Sequence, residues 1–316
     1  METVSTPYGR VPVVGIVERF EDGAVMSCTP ACEAVFETPL GPLCAQHTTD
    51  DLRRRTVQSI SFHHTGALRA LPLERPTRIE TPAGSMVVEL VTFHPDGSLC
   101  RAFPLNGKLS GYWTQEDEGR LAAPLELATP LGPLGGRFIG ICFAPGGQLL
   151  SLTLWPGESV SVPTPVGPLS ARVGVSFRVD GSLRSLEPAK PQSVPTPAGL
   201  IQAYDLDAVG ICGDVNSLGF GHDGSITRVS TSLTRVLASG PHEDERVYAP
   251  ESRESLCGDG EREPVPMQLE FHPEETWIRT RPDLEWTKLP TKDWSLRAEP
   301  YLRQFANPFG RMNCSC

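Results

Sequence analysis

Residues 164–195 read TPVGPLSARVGVSFRVDGSLRSLEPAKPQSVP, and this stretch is the cleanest copy of the repeat that decides the fold. Its opening Thr-Pro-x-Gly tetrapeptide occurs six times in the chain, beginning at Thr6, Thr38, Thr81, Thr129, Thr164 and Thr196. The shortest units span 6–37, 129–163 and 164–195, so the base period is about 32 residues.

A second signal follows each tetrapeptide: an aromatic residue, a turn that ends in glycine, and an apolar residue two positions later. The aromatic residues are Phe20, Phe62, Phe93, Phe143, Phe177 and Phe220, and the turn glycines are Gly23, Gly66, Gly97, Gly147, Gly181 and Gly224. A turn with a left-handed glycine is typical of a three-residue β-hairpin loop. Val173, Val175 and Phe177 alternate with polar or small residues, which predicts a half-buried strand.

Beyond each turn the apolar residues fall three positions apart, as in Leu149 and Leu152 or Leu183 and Leu186. A regular strand would place the two members of such a pair on opposite faces. A β-bulge between them restores a common face. The spacing therefore predicts a bulge at this point of every unit.

These signals predict an all-β repeat protein of about six antiparallel β-hairpin units, arranged as an open sheet or a solenoid. The alternative is a closed ring that resembles a six-bladed propeller. The array is expected over residues 1–237. A polar linker or loop is expected over 238–266, and 267–316 is expected to hold an extra hairpin (Met267 to Thr280) and a C-terminal capping tail.

The F-x-x-D-G-x-L hairpin, as in FRVDGSL at 177–183, resembles the short repeats of MORN and YwqK-like antitoxin-type proteins. The resemblance covers about seven residues per unit. Those families repeat at a shorter period and are richer in tyrosine and glycine. The resemblance implies stacked β-hairpins.

Composition narrows the function classes. Glycine (30) and proline (31) make up about a fifth of the 316 residues, which argues against a helical bundle. The net charge of −10 disfavours nucleic-acid or anionic-membrane partners. Nine cysteines, an odd number, and an N-terminal apolar stretch too short for an export signal predict a cytoplasmic protein.

Three units carry insertions, and loops inserted into a regular scaffold are the expected carriers of function. In the second and sixth units, the turn glycine and the aromatic residue are 21 positions apart, from Gly41 to Phe62 and from Gly199 to Phe220. In the other four units this spacing is about 9 to 11 positions. The third unit continues with FPLNGKLSGYWTQEDEGRLAAPLEL, where Thr114 followed by three acidic residues predicts one short capped helix.

Two groups of residues are candidates for metal binding, one in and just before the insertion of the second unit and the other at the C-terminus. Cys28, Cys32, Cys44 and His47 have spacings typical of zinc ligands. However, the repeat aligns Cys28 with Leu71 and Leu152, which favours a buried thiol instead. No cofactor is predicted, and zinc remains the alternative. Cys314 and Cys316 form a second candidate pair, for which a frayed tail is the favoured interpretation.

Candidate partner-binding residues lie in the other insertions. Adjacent Tyr112 and Trp113 would point to opposite faces, so that one packs and the other is exposed. The insertion of the sixth unit contains carboxylate and amide side chains whose oxygen atoms could bind calcium. The favoured interpretation is that these side chains bond the nearby backbone and form turns. These residues are Asp205, Asp207, Asp214 and Asn216. The G-x-G-x-x-G match at Gly219–Gly224 falls on a strand and its hairpin turn, so it does not predict a dinucleotide site.

The resulting hypothesis is a non-catalytic binding or scaffolding protein that presents its inserted loops to a protein or a small ligand. No catalytic residue is assigned. The alternative is a metal-binding sensor or an enzyme in which Cys44, His47 and the acidic residues of the sixth unit converge. A closed ring would favour that convergence, and an open array favours binding.

Overall fold

The computed structural model describes residues 2–50, 52–208, 212–241, 245–254 and 262–301, and the chain is almost entirely β-structure. The candidate capping tail beyond residue 301, with Cys314 and Cys316, lies outside the described residues. The chain divides into two compact bodies. The first comprises Met1–Glu158 and Phe177–Ser182, and the second comprises Ser159–Ser176 and Leu183–Cys316.

The first body contains thirteen strands and one helix among its described residues. They are β1 (Glu2–Thr6), β2 (Gly9–Arg19), β3 (Val25–Pro30), β4 (Val35–Thr38), β5 (Gly41–Cys44), β6 (Ile60–Phe62), β7 (Leu68–Thr81), β8 (Gly84–Phe93), β9 (Leu99–Phe103), α1 (Gln115–Leu121), β10 (Leu125–Thr129), β11 (Gly132–Gly136), β12 (Phe138–Phe143) and β13 (Leu149–Leu154).

The remaining strands follow in the second body, except that the last residue of β15 belongs to the first. They are β14 (Val160–Val162), β15 (Leu169–Phe177), β16 (Leu183–Pro188), β17 (Gln192–Thr196), β18 (Gly199–Ala203), β19 (Leu218–Phe220), β20 (Ile226–Thr231), β21 (Thr234–Ser239), β22 (Arg246–Tyr248), β23 (Glu251–Glu254), β24 (Arg262–Val265), β25 (Met267–Phe271), β26 (Glu275–Arg279), β27 (Thr287–Pro290) and β28 (Ser295–Pro300).

Seventeen strands form one large open antiparallel sheet built from hairpins. In the first body, strands β1, β2, β3, β6, β7, β8, β9, β12 and β13 pair in that order. The predicted open hairpin array is confirmed. The alternative of a closed ring is wrong, because the described strands do not close on themselves.

Every Thr-Pro-x-Gly tetrapeptide forms the predicted tight turn. At Thr164, the hydroxyl donates to the carbonyl of Gly167 at 2.5 Å and accepts the N–H of Val166 at 3.3 Å. The same two bonds recur in all six copies. Their glycines have φ between +97° and +117°, which residues with a side chain rarely adopt.

The predicted bulge follows the hairpin turn. Phe143 pairs with Leu149, whereas Cys142 pairs with Ser151, so one residue of β13 is skipped. The same shift occurs in four further hairpins. As a result, Leu149 and Leu152 are both buried on one face of the sheet.

The first unit differs from the other five at its aromatic residue. Phe62, Phe93, Phe143, Phe177 and Phe220 are buried at equivalent strand positions. Phe20 instead takes the first position of the turn, where its N–H donates to the carbonyl of Ala24, as that of His63 does to Ala67. Phe20 is half-buried because Arg19 occupies the strand position that Phe62 holds in the next unit.

Successive units contact each other through their turns. The prolines of four Thr-Pro-x-Gly turns, Pro7, Pro82, Pro130 and Pro165, lie against the hairpin glycine of the following unit, which is Gly66, Gly147, Gly181 or Gly224. Histidines add to this contact. The ring Nε2 atoms of His63 and His94 each lie 2.9 Å from the carbonyl oxygen of the next unit's aromatic residue. His63 therefore contacts the neighbouring unit as well as its own turn.

The segment 238–266, expected as a polar linker or loop, contains strands in its described parts. In its described parts, β22 pairs with β21 and β23 pairs with β24. Charged side chains are compatible with these strands because they lie on exposed faces, where Arg253 contacts Glu263. The expected extra hairpin is present as β25 and β26, and β27 extends it by one strand.

Candidate functional site

The insertions of the second and third units meet at Arg53, whose side chain is only 14% exposed. The Arg53 guanidinium donates from Nε and NH2 to the two carboxylate oxygens of Glu118, each at 2.7 Å, and from NH1 to Glu89 at 2.8 Å. Glu89 lies on β8 and Glu118 on α1, and both carboxylates are buried. Arg53 thus connects one insertion to the sheet and to the helix of the other.

The two carboxylates also accept hydrogen bonds from other donors. Glu89 accepts the N–H of Asn106 at 2.8 Å, and Glu118 accepts the N–H of Gly107 at 2.7 Å and the indole N–H of Trp113 at 2.6 Å. Burial alone would raise the pKa of Glu118, but these bonds and the Arg53 charge hold the pKa below its usual value. The Arg53 pKa is raised in turn, because the two carboxylates outweigh the effect of burial. Glu118 and Arg53 therefore stabilise each other's charged forms.

The two insertions are also joined through their backbones. The N–H of Lys108 donates to the carbonyl of Arg53 at 3.0 Å, and the side chains of Gln58 and Asn106 bond at 3.2 Å. Asp50 accepts three successive backbone N–H groups of the second unit's insertion. Glu74 accepts two further backbone N–H groups of the same insertion. Loops with this many bonds to rigid elements hold a defined shape.

The joined insertions expose apolar side chains. Tyr112 is 73% exposed and Leu109 54%, and Leu52 is also exposed. The Arg55 guanidinium lies over the Tyr112 ring, 5.2 Å from its centroid. We call Leu52, Arg55, Leu109 and Tyr112 the insertion surface. Tyrosine and arginine beside exposed leucines are typical of protein-binding surfaces.

An apolar groove adjoins the same cluster. It has a volume of 410 Å³ and is lined by the β8 side chains of Met86 and Val87, by Leu105, and by Leu121 at the end of α1. Glu89, which holds Arg53, also lines it. The groove therefore depends on the position of α1, which the Arg53 cluster sets.

Tyr112 and Trp113 behave as their adjacency predicts. Trp113 is half-buried and donates to Glu118, whereas Tyr112 faces solvent. The helix is also confirmed. Thr114 caps α1, and its side chain and that of Asp117 bond each other's backbone N–H groups.

The structure does not bring Cys28, Cys32, Cys44 and His47 into a metal-holding group. No set of three or more His, Cys, Asp or Glu side chains within the described ranges is placed to hold an ion. Cys28 is fully buried on β3, and burial raises the pKa of its thiol to about 11. Cys32 is exposed. His47 lies 3.4 Å from Glu74, and Cys44 lies 3.6 Å from the carbonyl oxygen of Ala45.

The four residues proposed in the insertion of the sixth unit separate into two environments. Asp205 and Asn216 are buried, and Asn216 donates to Ser185 at 2.9 Å and to Gly213 at 3.0 Å. Asp207 is half-exposed and pairs with Arg253 at 2.7 Å. Asp214 is half-buried. The bond from Asn216 to Gly213 therefore supports the local turn that the sequence favours over calcium binding.

A buried carboxylate beside these residues went unnoticed in the sequence. Glu187 on β16 accepts both the N–H and the hydroxyl of Ser217 at 2.8 Å. Burial raises the pKa of Glu187 to about 7, and the bonds from Ser217 only partly oppose it. Burial also raises the pKa of Asp205. The insertion of the sixth unit is thus anchored on a carboxyl group that titrates near neutrality.

The repeat alignment contained a signal for part of the Arg53 cluster. Glu89 lies four positions before Phe93, where the following units have Ile139 and Val173. A carboxylate at an apolar position of a repeat requires a buried partner. Nothing in the sequence identified Arg53 as that partner, because three arginines stand in a row at 53–55.

Comparisons with known proteins give no relative. No protein-family model, curated protein or solved structure matches the chain. Among the described residues, no helix is long and apolar enough to cross a membrane.

Proposed function

We propose that the chain is a non-catalytic repeat scaffold that binds a protein partner through the insertion surface and the adjacent groove. The observation that carries this proposal is the buried Arg53 cluster, which joins two insertions and leaves Tyr112 and Leu109 exposed. A surface that is fixed before binding loses little conformational entropy when the partner docks.

The chemistry of the surface favours a protein segment with apolar side chains. The groove accommodates such side chains between β8 and α1, and Tyr112 with Arg55 offers an aromatic and a cationic contact at its margin. The open sheet supports this proposal over a shared catalytic pocket. The expected cytoplasmic location belongs to the same proposal, and the six free cysteines of the described residues are consistent with it.

The experiment compares partner retention by two surface variants. The protein is used to enrich partners from an extract of its source cells, and the dissociation constant of each saturable partner is then measured. We expect the double variant Leu109→Ser and Tyr112→Ser to weaken binding by about tenfold or more, because hot-spot residues contribute most of the energy of an interface.

The matched control is the double variant Val179→Ser and Leu200→Ser, which also removes two exposed apolar side chains. We expect it to bind with the affinity of the parent protein. Equal affinity of the insertion-surface variant and the parent would overturn the proposal, and so would the absence of any saturable partner.

A further inference from the structure

Two thiols lie together where the third and fourth units join. Strand β9 pairs with β12, and the register places Cys142 opposite Arg101. Cys100 is the residue that the bulge of its hairpin skips, since Phe93 pairs with Leu99 and Thr92 with Arg101. Released from the ladder, the Cys100 side chain reaches the next strand, where it is hydrogen-bonded to the Cys142 thiol.

We propose that Cys100 and Cys142 form a peroxide-sensitive dithiol that closes to an intramolecular disulfide. Neither cysteine is part of a disulfide in the structure. Cys100 is half-exposed and accessible to a small oxidant, whereas Cys142 is nearly buried directly behind it. This is the arrangement of an attacking and a resolving cysteine.

The surroundings of Cys100 favour the reactive thiolate. The hydrogen bond from the Cys142 thiol, with help from the nearby charges of His94 and Arg101, lowers the pKa of Cys100 to about 6, although burial opposes this. Two other cysteines of the first body, Cys28 and Cys44, have thiol pKa values that are raised instead, because both are partly or fully buried. Cys100 is therefore more readily ionised than Cys28 or Cys44.

The chemistry balances with a peroxide as the oxidant. The Cys100 thiolate attacks one peroxide oxygen, so that an S–O bond forms, the O–O bond breaks, and hydroxide leaves and takes up a proton to become water. The Cys142 sulfur then attacks the sulfenic sulfur of Cys100, which forms the S–S bond and expels the second oxygen as water after protonation. Together the two thiols lose two protons and two electrons, and one hydrogen peroxide becomes two waters.

The disulfide would have a structural consequence because of what lies between the two cysteines. The segment that it closes contains the whole insertion of the third unit, including Tyr112 and α1. Cross-linking its two ends restricts the unfolded chain and tethers the third unit to the fourth. Oxidation would therefore hold this insertion in place.

The test is a thiol map of the full-length protein. Fully reduced protein is exposed to a few equivalents of hydrogen peroxide at pH 7, the remaining thiols are alkylated, and peptides are analysed without reduction. We expect the Cys100–Cys142 disulfide peptide to form about tenfold faster than exposed Cys32 is oxidised, because thiolate content and not exposure alone sets the rate.

Two variants separate the steps. With Cys142→Ser, we expect Cys100 to stop at the sulfenic acid, which dimedone traps. With Cys32→Ser, which removes a more exposed thiol, the disulfide should form as in the parent protein. Oxidation of Cys32 ahead of Cys100, or loss of the Cys100 thiol without a Cys100–Cys142 peptide in the parent protein, would overturn the proposal.

Discussion

Gly66 and Gly97 occupy the same position of successive hairpin turns and have nearly the same φ, +83° and +85°. A Cβ atom would meet different surroundings at the two positions. At Gly66 it would lie 2.9 Å from Cγ of Pro7, in the turn of the preceding unit, whereas at Gly97 it would meet nothing within 4 Å. Both positions require a left-handed backbone, but only Gly66 also contacts the preceding unit, so comparing the two measures that contact alone.

We expect Gly97→Ala to lower the free energy of unfolding by about 1 kcal/mol, because alanine is strained at positive φ. Gly66→Ala should cost about 3 kcal/mol, since overpacking against Pro7 adds to the same strain. Urea denaturation of the two variants measures the difference. Equal losses would show that Pro7 does not hold the second unit in place.

Glu187 makes the stability of the second body depend on pH. Its folded pKa of about 7 lies above the ordinary carboxyl value of 4.5, so the folded protein binds this proton more tightly than the unfolded chain does. The stability that results is fully present below about pH 4.5 and is lost as the pH rises through 7. The nearby charge of Asp205 raises the Glu187 pKa further, and that of Arg172 lowers it.

We therefore expect Glu187→Gln to gain stability relative to the parent protein between pH 5 and pH 8, by up to about 3 kcal/mol. Thermal unfolding at the two pH values measures this change. Glu274→Gln, at an exposed position of the same body, is the control and should show no such trend. A Glu187→Gln variant whose stability relative to the parent is independent of pH would show that Glu187 is not buried in its neutral form.

At the scale of elements, α1 links the cap at Thr114 to the buried carboxylate of Glu118. The Thr114 hydroxyl accepts the N–H of Asp117 at 3.2 Å, and Asp117 accepts the N–H of Thr114 at 3.0 Å. A helix of only seven residues has few other bonds to fix its start. The cap therefore helps to position Glu118 for Arg53.

We expect Thr114→Ala to lower the free energy of unfolding by about 1 kcal/mol, which is the usual value of an N-cap. Gln115→Ala, one position later and outside the capping box, should be nearly neutral. Urea denaturation distinguishes the two variants. If both variants lose the same amount, the capping box does not stabilise α1.

The elements that the sequence predicts are those that local chemistry determines. The Thr-Pro-x-Gly turns, the glycine turns, the bulge between Leu149 and Leu152 and the cap at Thr114 each need only a few neighbouring residues. The strands within 238–266 were missed because exposed hairpins can be polar on both faces. A strand is predicted from the sequence when buried apolar residues alternate with exposed polar ones, and these strands bury few side chains.

The site was less predictable because it depends on which segments meet. Arg53 bonds a carboxylate 65 positions away, and no spacing rule connects two insertions of different units. The contact between Cys100 and Cys142 follows from the bulge in one hairpin and the register of the next. Tyr112 and Trp113 were found because adjacent strand-like residues point to opposite sides, a purely local argument.

In the whole molecule, the hairpin units form a regular array that the insertions interrupt. The repeat turns hold each unit on the next, as Pro7 on Gly66 illustrates. The Arg53 cluster then converts two separate insertions into a single surface. If the insertions moved independently, the groove between β8 and α1 would not persist.

Hydrogen–deuterium exchange of the Arg53→Met variant tests this claim most directly. In the parent protein, we expect slow exchange at Asn106, Gly107 and Lys108, whose N–H groups bond Glu89, Glu118 and the Arg53 carbonyl. Arg53→Met leaves two buried carboxylates without their cation, which destabilises the cluster by about 3 kcal/mol or more. Exchange should therefore accelerate together in residues 46–59 and 104–121.

Arg120→Met is the control, because Arg120 is exposed and pairs with Glu116 and Asp117 of the same helix. It should leave exchange in both insertions unchanged. Coupled acceleration in the Arg53→Met variant alone is the result that the account predicts. Fast exchange at 106–108 in the parent protein, or acceleration confined to one insertion, would contradict it.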